Sequence, residues 1–144
     1  MSGERPEARR LGRQPGDLSP AEQVARMIRV DHAGEYGAKR IYDGQLAVLG
    51  DTQAADPIRR IAETEAAHLA WFDKALVEDG VRPTALHPLW HVAGYALGAA
   101  AALMGPKAAM ACTVAVEEAI DEHYTRQDAA LSTQERALTS AIRK

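Results

Sequence analysis

Apolar residues recur at intervals of three or four along most of the chain, which is the spacing of the buried face of an α-helix. Ser19, Pro20 and Glu22 open the first periodic segment with a capping box and a proline in the first turn, and Gly50 closes it. Its stripe consists of Val24, Ile28, Glu35, Tyr42, Leu46 and Leu49. The pattern therefore predicts a first helix from about Ser19 to Gly50.

Two further segments repeat this pattern. One starts at Asp56, interpreted as a cap followed by a proline, and ends before Gly80. Its stripe consists of Ile58, Ile61, Glu65, Leu69, Phe72 and Leu76. Another helix is predicted over residues 107–131, after a Gly-Pro break, and residues 133–144 begin what we interpret as one more.

Residues 83–106 contain no Asp, Glu, Lys or Arg. We predict an irregular connection over residues 81–89, which hold two prolines, and then an apolar helix that is slightly short for a bilayer span. Gly94 and Gly98 form a small-residue pair of the kind that lets helices approach closely. A helix that is apolar all round is either buried in the protein or set against lipid, and both interpretations stay open.

Composition supports an all-α chain with one folded domain. The 144 residues are rich in Ala, only 5% of them are aromatic, and most Gly and Pro lie between the periodic segments. Residues 1–18 mix Arg, Glu, Pro and Gly without periodicity. We therefore predict a disordered tail over residues 1–18 and a single domain over residues 19–144.

Charge and cysteine content exclude several classes of protein. The net charge of -3 gives no electrostatic footprint for nucleic acid. Cys112 is the single cysteine, so neither a disulfide framework nor a thiolate zinc cluster is available. The N-terminus is charged and polar, unlike a secretory signal, which favours a reducing cytoplasmic setting.

Glutamates occupy positions in the apolar stripes. A carboxylate there is unfavourable unless a partner neutralises it, and a metal ion is one such partner. Glu35 holds such a position in the first helix and Glu65 in the second, where His68 projects from the same side three residues later. In the last helix either Glu117 or Glu118 faces inward, and periodicity does not choose between them.

A simpler explanation competes with the metal site, because a lone Glu-x-x-His is more often a buried His beside a half-exposed Glu. Gly34 and Gly37 flank the first glutamate at a cost of about 1 kcal/mol each in helix propensity, which predicts close approach by another helix or a ligand. His87 and His91 are four residues apart, but Pro88 between them argues against a shared helical face and a shared metal.

Carboxylates on several helices favour the metal site over the simpler explanation. Di-iron bundles of the ferritin-like type take a Glu from each of two helices and a Glu-x-x-His from each of two others. Oxygen ligands suit oxidised iron, and imidazole suits both oxidation states. The order Glu35, then Glu65 with His68, then Glu117 or Glu118 matches half of such a bundle followed by half of its copy.

Three runs of sequence carry a family resemblance: RVDHAGEYGAKRIYDGQLAVLG, RPTALHPLW and AMACTVAVEEAIDEHY. They closely resemble the bacterial and mitochondrial demethoxyubiquinone hydroxylases, over about Ala25 to Gln127. The resemblance implies a ferritin-like helical bundle that acts as a di-iron monooxygenase in ubiquinone biosynthesis. It also implies a peripheral position on the cytoplasmic face of the bacterial inner membrane and hydroxylation of the demethoxyubiquinol ring with dioxygen.

Carried over residue by residue, the resemblance implies two iron ions held by Glu35, Glu65, His68 and Glu117, and so chooses Glu117. It also implies functional roles for His123 and Tyr124, beside the metal ligands or on an electron path.

The family's last helix brings a second Glu-x-x-His, and this sequence contains no Glu-x-x-His after the one formed by Glu65 and His68. We therefore expect a bundle that is truncated at its C-terminus, with part of the ligand set. The implied partners are demethoxyubiquinol, dioxygen, a membrane surface contacted through residues 83–106, and a lipid-presenting protein or a second copy of the chain. Two alternatives are a soluble ferritin-like protein that transfers electrons or reduces peroxide, and a lipid-binding remnant without catalysis.

Overall fold

The computed structural model describes residues 15–130, whose regular structure consists of four α-helices and one short 3₁₀ turn. The helices are α1 (Pro20–Leu49), α2 (Asp56–Glu78), α3 (His87–Leu103) and α4 (Pro106–Ala130), and the turn Gln53–Ala55 precedes α2. The predicted all-α, ferritin-like helical bundle is confirmed. The predicted tail over residues 1–18 lies mostly outside the described residues, and the predicted helix over residues 133–144 lies entirely outside them.

The first helix begins as its sequence predicts. Ser19 Oγ accepts a hydrogen bond from the backbone N–H of Glu22, and the Glu22 carboxylate accepts one from the backbone N–H of Ser19. This capping box satisfies donors that the first turn leaves without helical partners. The predicted stripe faces the interior, with Ile28, Glu35, Tyr42 and Leu49 buried.

The start of α2 differs from the prediction. Asp56 is not the cap, because the turn Gln53–Ala55 runs directly into the helix and Ala55 already has helical backbone angles. Asp56 lies in the first turn instead, where its carboxylate accepts a hydrogen bond from Arg59. The predicted stripe of α2 is otherwise confirmed, with Ile58, Glu65, Leu69 and Leu76 buried.

Glycines bring α1 and α3 into backbone contact. A Cβ on Gly98 would lie 1.8 Å from the carbonyl oxygen of Ile41, and one on Gly44 would lie 2.1 Å from that of Tyr95. A Cβ on Gly94 would lie 3.0 Å from the carbonyl oxygen of Gly37. The close approach predicted for Gly94 and Gly98 is therefore confirmed.

Gly34 and Gly37 do not themselves face a close neighbour, since a Cβ on either would meet nothing within 4 Å. The backbone of α3 nevertheless passes close to Gly37, whose carbonyl oxygen lies 3.0 Å from a Cβ built on Gly94, so the predicted approach of a helix is found at Gly37. Gly34 and Gly37 also line an open cavity, which leaves room for a ligand beside both.

The far side of α3 stays open and apolar. Its exposed side chains, with those of the residues just before and after the helix, include Leu86, Leu89, Trp90, Val92, Leu97, Leu103 and Met104. α3 is thus neither a fully buried core helix nor a polar surface helix. Within residues 15–130, no helix has the length and hydropathy needed to cross a membrane.

Candidate metal centre and adjoining cavity

The packing of α1 against α2 brings three predicted ligands together. Glu35, Glu65 and His68 each offer one ligand atom, and these atoms all lie within 4.8 Å of one another. Glu35 and Glu65 are 2% and 5% exposed, whereas the His68 side chain is 55% exposed. His68 Nδ1 lies 3.5 Å from Glu65 Oε1. The group can therefore hold a metal ion with two buried oxygens and an imidazole at the surface.

Two buried oxygen atoms in this group are evidence that it can bind a metal ion. Glu35 Oε2 and Glu65 Oε2 are inaccessible to solvent and make no hydrogen bond. Buried carboxylate oxygens without partners are unfavourable, and native proteins seldom contain them. A cation coordinated by both oxygens would supply the missing partner, so the residues present fit a metal ion.

The electrostatics of Glu65 lead to the same interpretation. Burial, the adjacent carboxyl group of Glu35 and the charge of Glu117 together raise the pKa of Glu65 to about 9. In the metal-free chain Glu65 therefore keeps a proton at neutral pH, because two carboxylates in a dry site cannot both ionise. A metal ion would displace that proton and neutralise the charges.

The structure shows which of the two adjacent glutamates of α4, Glu117 or Glu118, faces the interior. Glu117 is half-buried and faces α1, where its Oε1 accepts a hydrogen bond from the Tyr42 hydroxyl, whereas Glu118 is exposed. Glu117 lies outside the group of three, but close enough for its charge to raise the pKa of Glu65. It borders the candidate metal centre on the α4 side.

His123 and Tyr124 also face α1. Tyr124 donates a hydrogen bond from its hydroxyl to Glu35 Oε1 at 2.6 Å. His123 Nε2 lies 3.0 Å from Asp31 Oδ1, which also accepts from Gln127 at 3.1 Å. Burial raises the pKa of Asp31, and the bonds to these two partners oppose that effect only in part. The predicted His-Tyr pair therefore contacts a glutamate of the centre directly through Tyr124, whereas His123 contacts Asp31.

Sequence reasoning did not find the polar contacts that join α1 and α4. Four residues of α1 form hydrogen bonds with residues of α4, and we call these contacts the α1–α4 polar ladder. In chain order, the α1 residues are Asp31, Glu35, Tyr42 and Gln45. The partners are His123 and Gln127, then Tyr124, then Glu117, then Thr113. The available signal was a polar stripe at helical spacing on both segments, with Glu and Tyr seven residues apart on each.

An apolar cavity of about 580 Å³ adjoins the centre, between α1, α3 and α4. Glu35 and Tyr124 line it at the metal centre, and Trp90 and Leu97 line it on the side of α3. Such a volume suits a ring-sized organic ligand. Its wall is mostly apolar, and other lining residues are Val30, Asp31, Gly34, Gly37, Ala38, Ile41, Val116, Ile120 and His123.

The expectation that Pro88 separates His87 from His91 is wrong. Pro88 occupies the first turn of α3, where its missing N–H has no helical partner to lose, so the helix is regular there. Both histidines reach Tyr36: the rings of His87 and Tyr36 have centroids 3.9 Å apart, and the Tyr36 hydroxyl lies 2.5 Å from His91 Nδ1. The two histidines therefore share a face of α3, and through that face they contact Tyr36 of α1.

Fold and site together define an all-α helical-bundle protein in which a carboxylate–histidine group that can hold a metal ion lies beside an apolar cavity. The sequence matches the family described as "Ubiquinone biosynthesis protein COQ7" over residues 22–144. The chain belongs to this family, as the resemblance of its motifs had predicted.

Individual relatives agree with the family match. The chain is 56% identical over 131 residues to the "3-demethoxyubiquinol 3-hydroxylase" of Rhodospirillum rubrum, an alignment that covers 90% of the chain and 62% of the relative. It is 58% identical over 104 residues to the "NADPH-dependent 3-demethoxyubiquinone 3-hydroxylase, mitochondrial" of Homo sapiens, over 72% of the chain and 48% of the relative. The "5-demethoxyubiquinone hydroxylase, mitochondrial" of Saccharomyces cerevisiae is 43% identical over 77% of the chain and 49% of its own length. The chain thus spans about half to three-fifths of the length of these relatives.

Proposed function

We propose that the chain provides the metal-binding and ring-binding part of a 3-demethoxyubiquinol 3-hydroxylase, which adds a hydroxyl group to the quinol ring in ubiquinone biosynthesis. The observation that carries this proposal is the position of Glu35, which belongs both to the group of candidate ligands and to the wall of the apolar cavity. A ring held in the cavity would lie next to the metal centre. The relatives' names supply the reaction, and the apolar cavity wall agrees with a lipid substrate.

We propose iron as the metal and Glu35, Glu65, His68 and Glu117 as its ligands in this chain. Two iron ions, when bound, would supply the reductive activation of dioxygen that the polypeptide alone cannot perform. The side chains have other tasks. Tyr124 holds Glu35 through Oε1 and leaves Oε2 free to coordinate.

Asp31 and His123 give the cavity wall a place to hold a proton. Both line the cavity, and the hydrogen bond between them can carry a proton on either partner. The His123 side chain is 44% exposed, so it connects Asp31 with solvent. We infer that this pair exchanges protons between the bound ring and water during turnover.

The outer face of α3 is the proposed attachment to the membrane. Leu103 and Met104 are 75% and 80% exposed, and Trp90 lies at both the surface and the cavity wall. An apolar face of this kind binds at the boundary of headgroups and acyl chains without spanning the bilayer. We propose that it seats the protein on the cytoplasmic face of the bacterial inner membrane, where a quinol can enter the cavity from the lipid.

Quinol binding can be tested with Trp90 as the reporter. The variant Trp71→Phe leaves Trp90 as the single tryptophan. Adding the quinone form of a demethoxyubiquinol analogue to this variant should quench the Trp90 fluorescence, and the quenching should reach a plateau as the binding site fills. Gly34→Leu, which places a side chain in the cavity, should weaken this quenching at least tenfold. The matched control is Ala70→Leu, an exposed position on α2, which should leave the quenching unchanged.

The reaction itself is tested with a chimera in which this chain replaces the matching segment of the Rhodospirillum rubrum relative, because the chain alone carries only part of the ligand set that the resemblance implies. The iron-loaded chimera is given demethoxyubiquinol, a reductant and isotopically labelled dioxygen. We expect the ring to gain one labelled oxygen atom, measured by mass spectrometry, and Glu65→Gln to abolish this product. Iron-loaded protein that binds the quinol but forms no product would contradict the hydroxylase proposal. Peroxide consumption without ring hydroxylation would support the ferritin-like alternative instead.

A further inference from the structure

Two tyrosine–glutamate hydrogen bonds join α1 and α4 in a reciprocal arrangement. On α1, Tyr42 follows Glu35 by seven residues, and on α4, Tyr124 follows Glu117 by seven. Seven residues are almost two helical turns, so each tyrosine lies on the same face as its own glutamate. Tyr42 donates to Glu117 and Tyr124 donates to Glu35, so each helix holds the glutamate of the other.

The Glu35 end of this arrangement shows what the hydrogen bond does to a carboxylate. Tyr124 occupies Glu35 Oε1, and Glu35 Oε2 is left buried without a partner beside Glu65 and His68. One oxygen is therefore fixed by the protein and the other is available to a cation. A carboxylate has enough acceptor positions for both roles.

The Glu117 end has the same kind of hydrogen bond from a tyrosine, here from a buried donor. Tyr42 is completely buried, and its hydroxyl bonds to Glu117 Oε1. The phenol hydroxyl is the donor in this bond, because a carboxylate oxygen can only accept.

The neighbouring contact of the ladder keeps the two helices at a fixed spacing. Gln45 donates to the backbone carbonyl of Ala109 at 2.9 Å and accepts from Thr113 at 3.0 Å, and both contacts are buried. Gln45 follows Tyr42, and Thr113 precedes Glu117, by one turn. The distance across which Tyr42 reaches Glu117 is thus set by a buried polar clamp, which satisfies its own hydrogen bonds.

We propose that Tyr42 is a positioning residue for the metal centre, which fixes the half-buried carboxylate of Glu117 through Oε1 and leaves Oε2 for the metal, as Tyr124 does for Glu35. The inference rests on the metal site of the proposed function. It assigns the two tyrosines equivalent tasks, although the sequence resemblance singled out Tyr124 alone.

The test compares Co²⁺ binding by the purified chain and by Tyr42→Phe, which removes only the hydroxyl group. We expect Tyr42→Phe to weaken Co²⁺ binding about tenfold, the lower end of the usual effect for residues that orient metal ligands. Its visible Co²⁺ absorption should also change, because the coordination geometry loosens. The matched control is Tyr36→Phe, which removes another tyrosine hydrogen bond on α1, the bond to His91, and should leave affinity and spectrum unchanged.

A second variant separates positioning from a general loss of structure. If Tyr42 acts through Glu117, then Tyr42→Phe should cause no additional loss of Co²⁺ affinity in a Glu117→Ala background. An equal loss in both backgrounds would overturn the proposal. If circular dichroism shows that Tyr42→Phe does not fold, Glu117→Asp tests the same bond from the acceptor side. The shorter Asp side chain cannot reach both Tyr42 and the metal. Wild-type Co²⁺ binding by Glu117→Asp would overturn the proposal.

The outcomes also distinguish this inference from the proposed function. Wild-type affinity and spectrum in Tyr42→Phe would contradict the role of Tyr42 and leave the metal site intact. Absence of Co²⁺ binding by the unmodified chain would contradict the metal site, and with it any positioning role for Tyr42.

Discussion

The two faces of α1 pack by opposite means. Towards α3, glycines bring backbone against backbone, so that Gly98 lies directly on Ile41. Towards α4, polar side chains meet in the α1–α4 polar ladder, and Glu35 and Tyr42 are both buried there. The first interface depends on missing side chains and the second on hydrogen-bonded ones. One helix therefore combines a tightly packed apolar seam with a polar seam suited to a metal centre.

The largest effect is expected where the two helices touch. Gly98→Ala would place a Cβ 1.8 Å from the Ile41 carbonyl oxygen, so the helices have to separate. We expect the free energy of unfolding to fall by about 3 kcal/mol or more, measured by urea denaturation. Gly34→Ala is the matched control, because its Cβ meets nothing within 4 Å. It should instead stabilise the chain by up to about 1 kcal/mol through helix propensity. Equal effects from the two changes would contradict the glycine seam.

A smaller effect is expected in the polar ladder. Thr113→Val leaves the buried Gln45 Oε1 without its donor, so we expect a loss of roughly 1–3 kcal/mol in the free energy of unfolding. Thr64→Val removes an exposed hydroxyl that bonds to the backbone of its own helix, and should change stability by less than about 0.5 kcal/mol. Equal changes in the free energy of unfolding for Thr113→Val and Thr64→Val would show that the polar ladder does not stabilise the packing of α1 against α4.

The pH dependence of the metal-free chain tests the buried carboxyl groups on and beside the polar side of α1. Glu65 has a pKa raised to about 9 in the folded chain from the ordinary value of 4.5, so folding favours its protonated form. This contribution is fully present below about pH 4.5 and is lost as the pH rises towards 9. Asp31, whose pKa burial also raises, acts in the same direction. We expect the urea midpoint to fall over this range in the wild type and to fall less in Glu65→Gln. A midpoint that rises with pH would contradict the electrostatic description of the site.

The smallest effect on stability is expected on the outer face of α3. Leu103→Ser and Met104→Ser change exposed side chains, so the free energy of unfolding should shift by no more than about 0.5 kcal/mol. Binding to lipid vesicles, measured by flotation, should nevertheless decrease. Val77→Ser on α2 is the control, since Val77 is equally exposed and lies on another helix. Equal loss of vesicle binding in all three variants would argue against α3 as the membrane face.

Helices and their buried stripes could be read from the sequence because periodicity and capping are local signals. Glu35 and Glu65 were found because a carboxylate interrupts an apolar stripe. The choice of Glu117 over Glu118 needed either the family resemblance or a partner, and the partner Tyr42 lies 75 residues away along the chain. Local spacing cannot show which polar side chains meet across two helices.

The glycines of α1 also show that a local sequence pattern cannot predict contacts between helices. Helix propensity marked Gly34 and Gly37 as costly, but cost alone did not distinguish an approaching helix from an open cavity. The sequence made no prediction for Gly44, which α3 contacts, because the sequence around it is that of an ordinary helix. Which glycine receives a neighbour depends on the crossing point of two helices, and a single-sequence pattern does not contain that information.

The most direct test of the metal centre measures thermal unfolding of the wild type and of Glu65→Gln, each with and without Fe²⁺ under anaerobic conditions. Glu65→Gln removes a carboxyl group that is buried beside another, so it should raise the midpoint of the metal-free chain at pH 8. Fe²⁺ should raise the wild-type midpoint, because binding to the folded state stabilises it, and should leave that of Glu65→Gln unchanged. The same upward shift in both proteins would show that Glu65 does not hold the metal and would contradict the proposed centre.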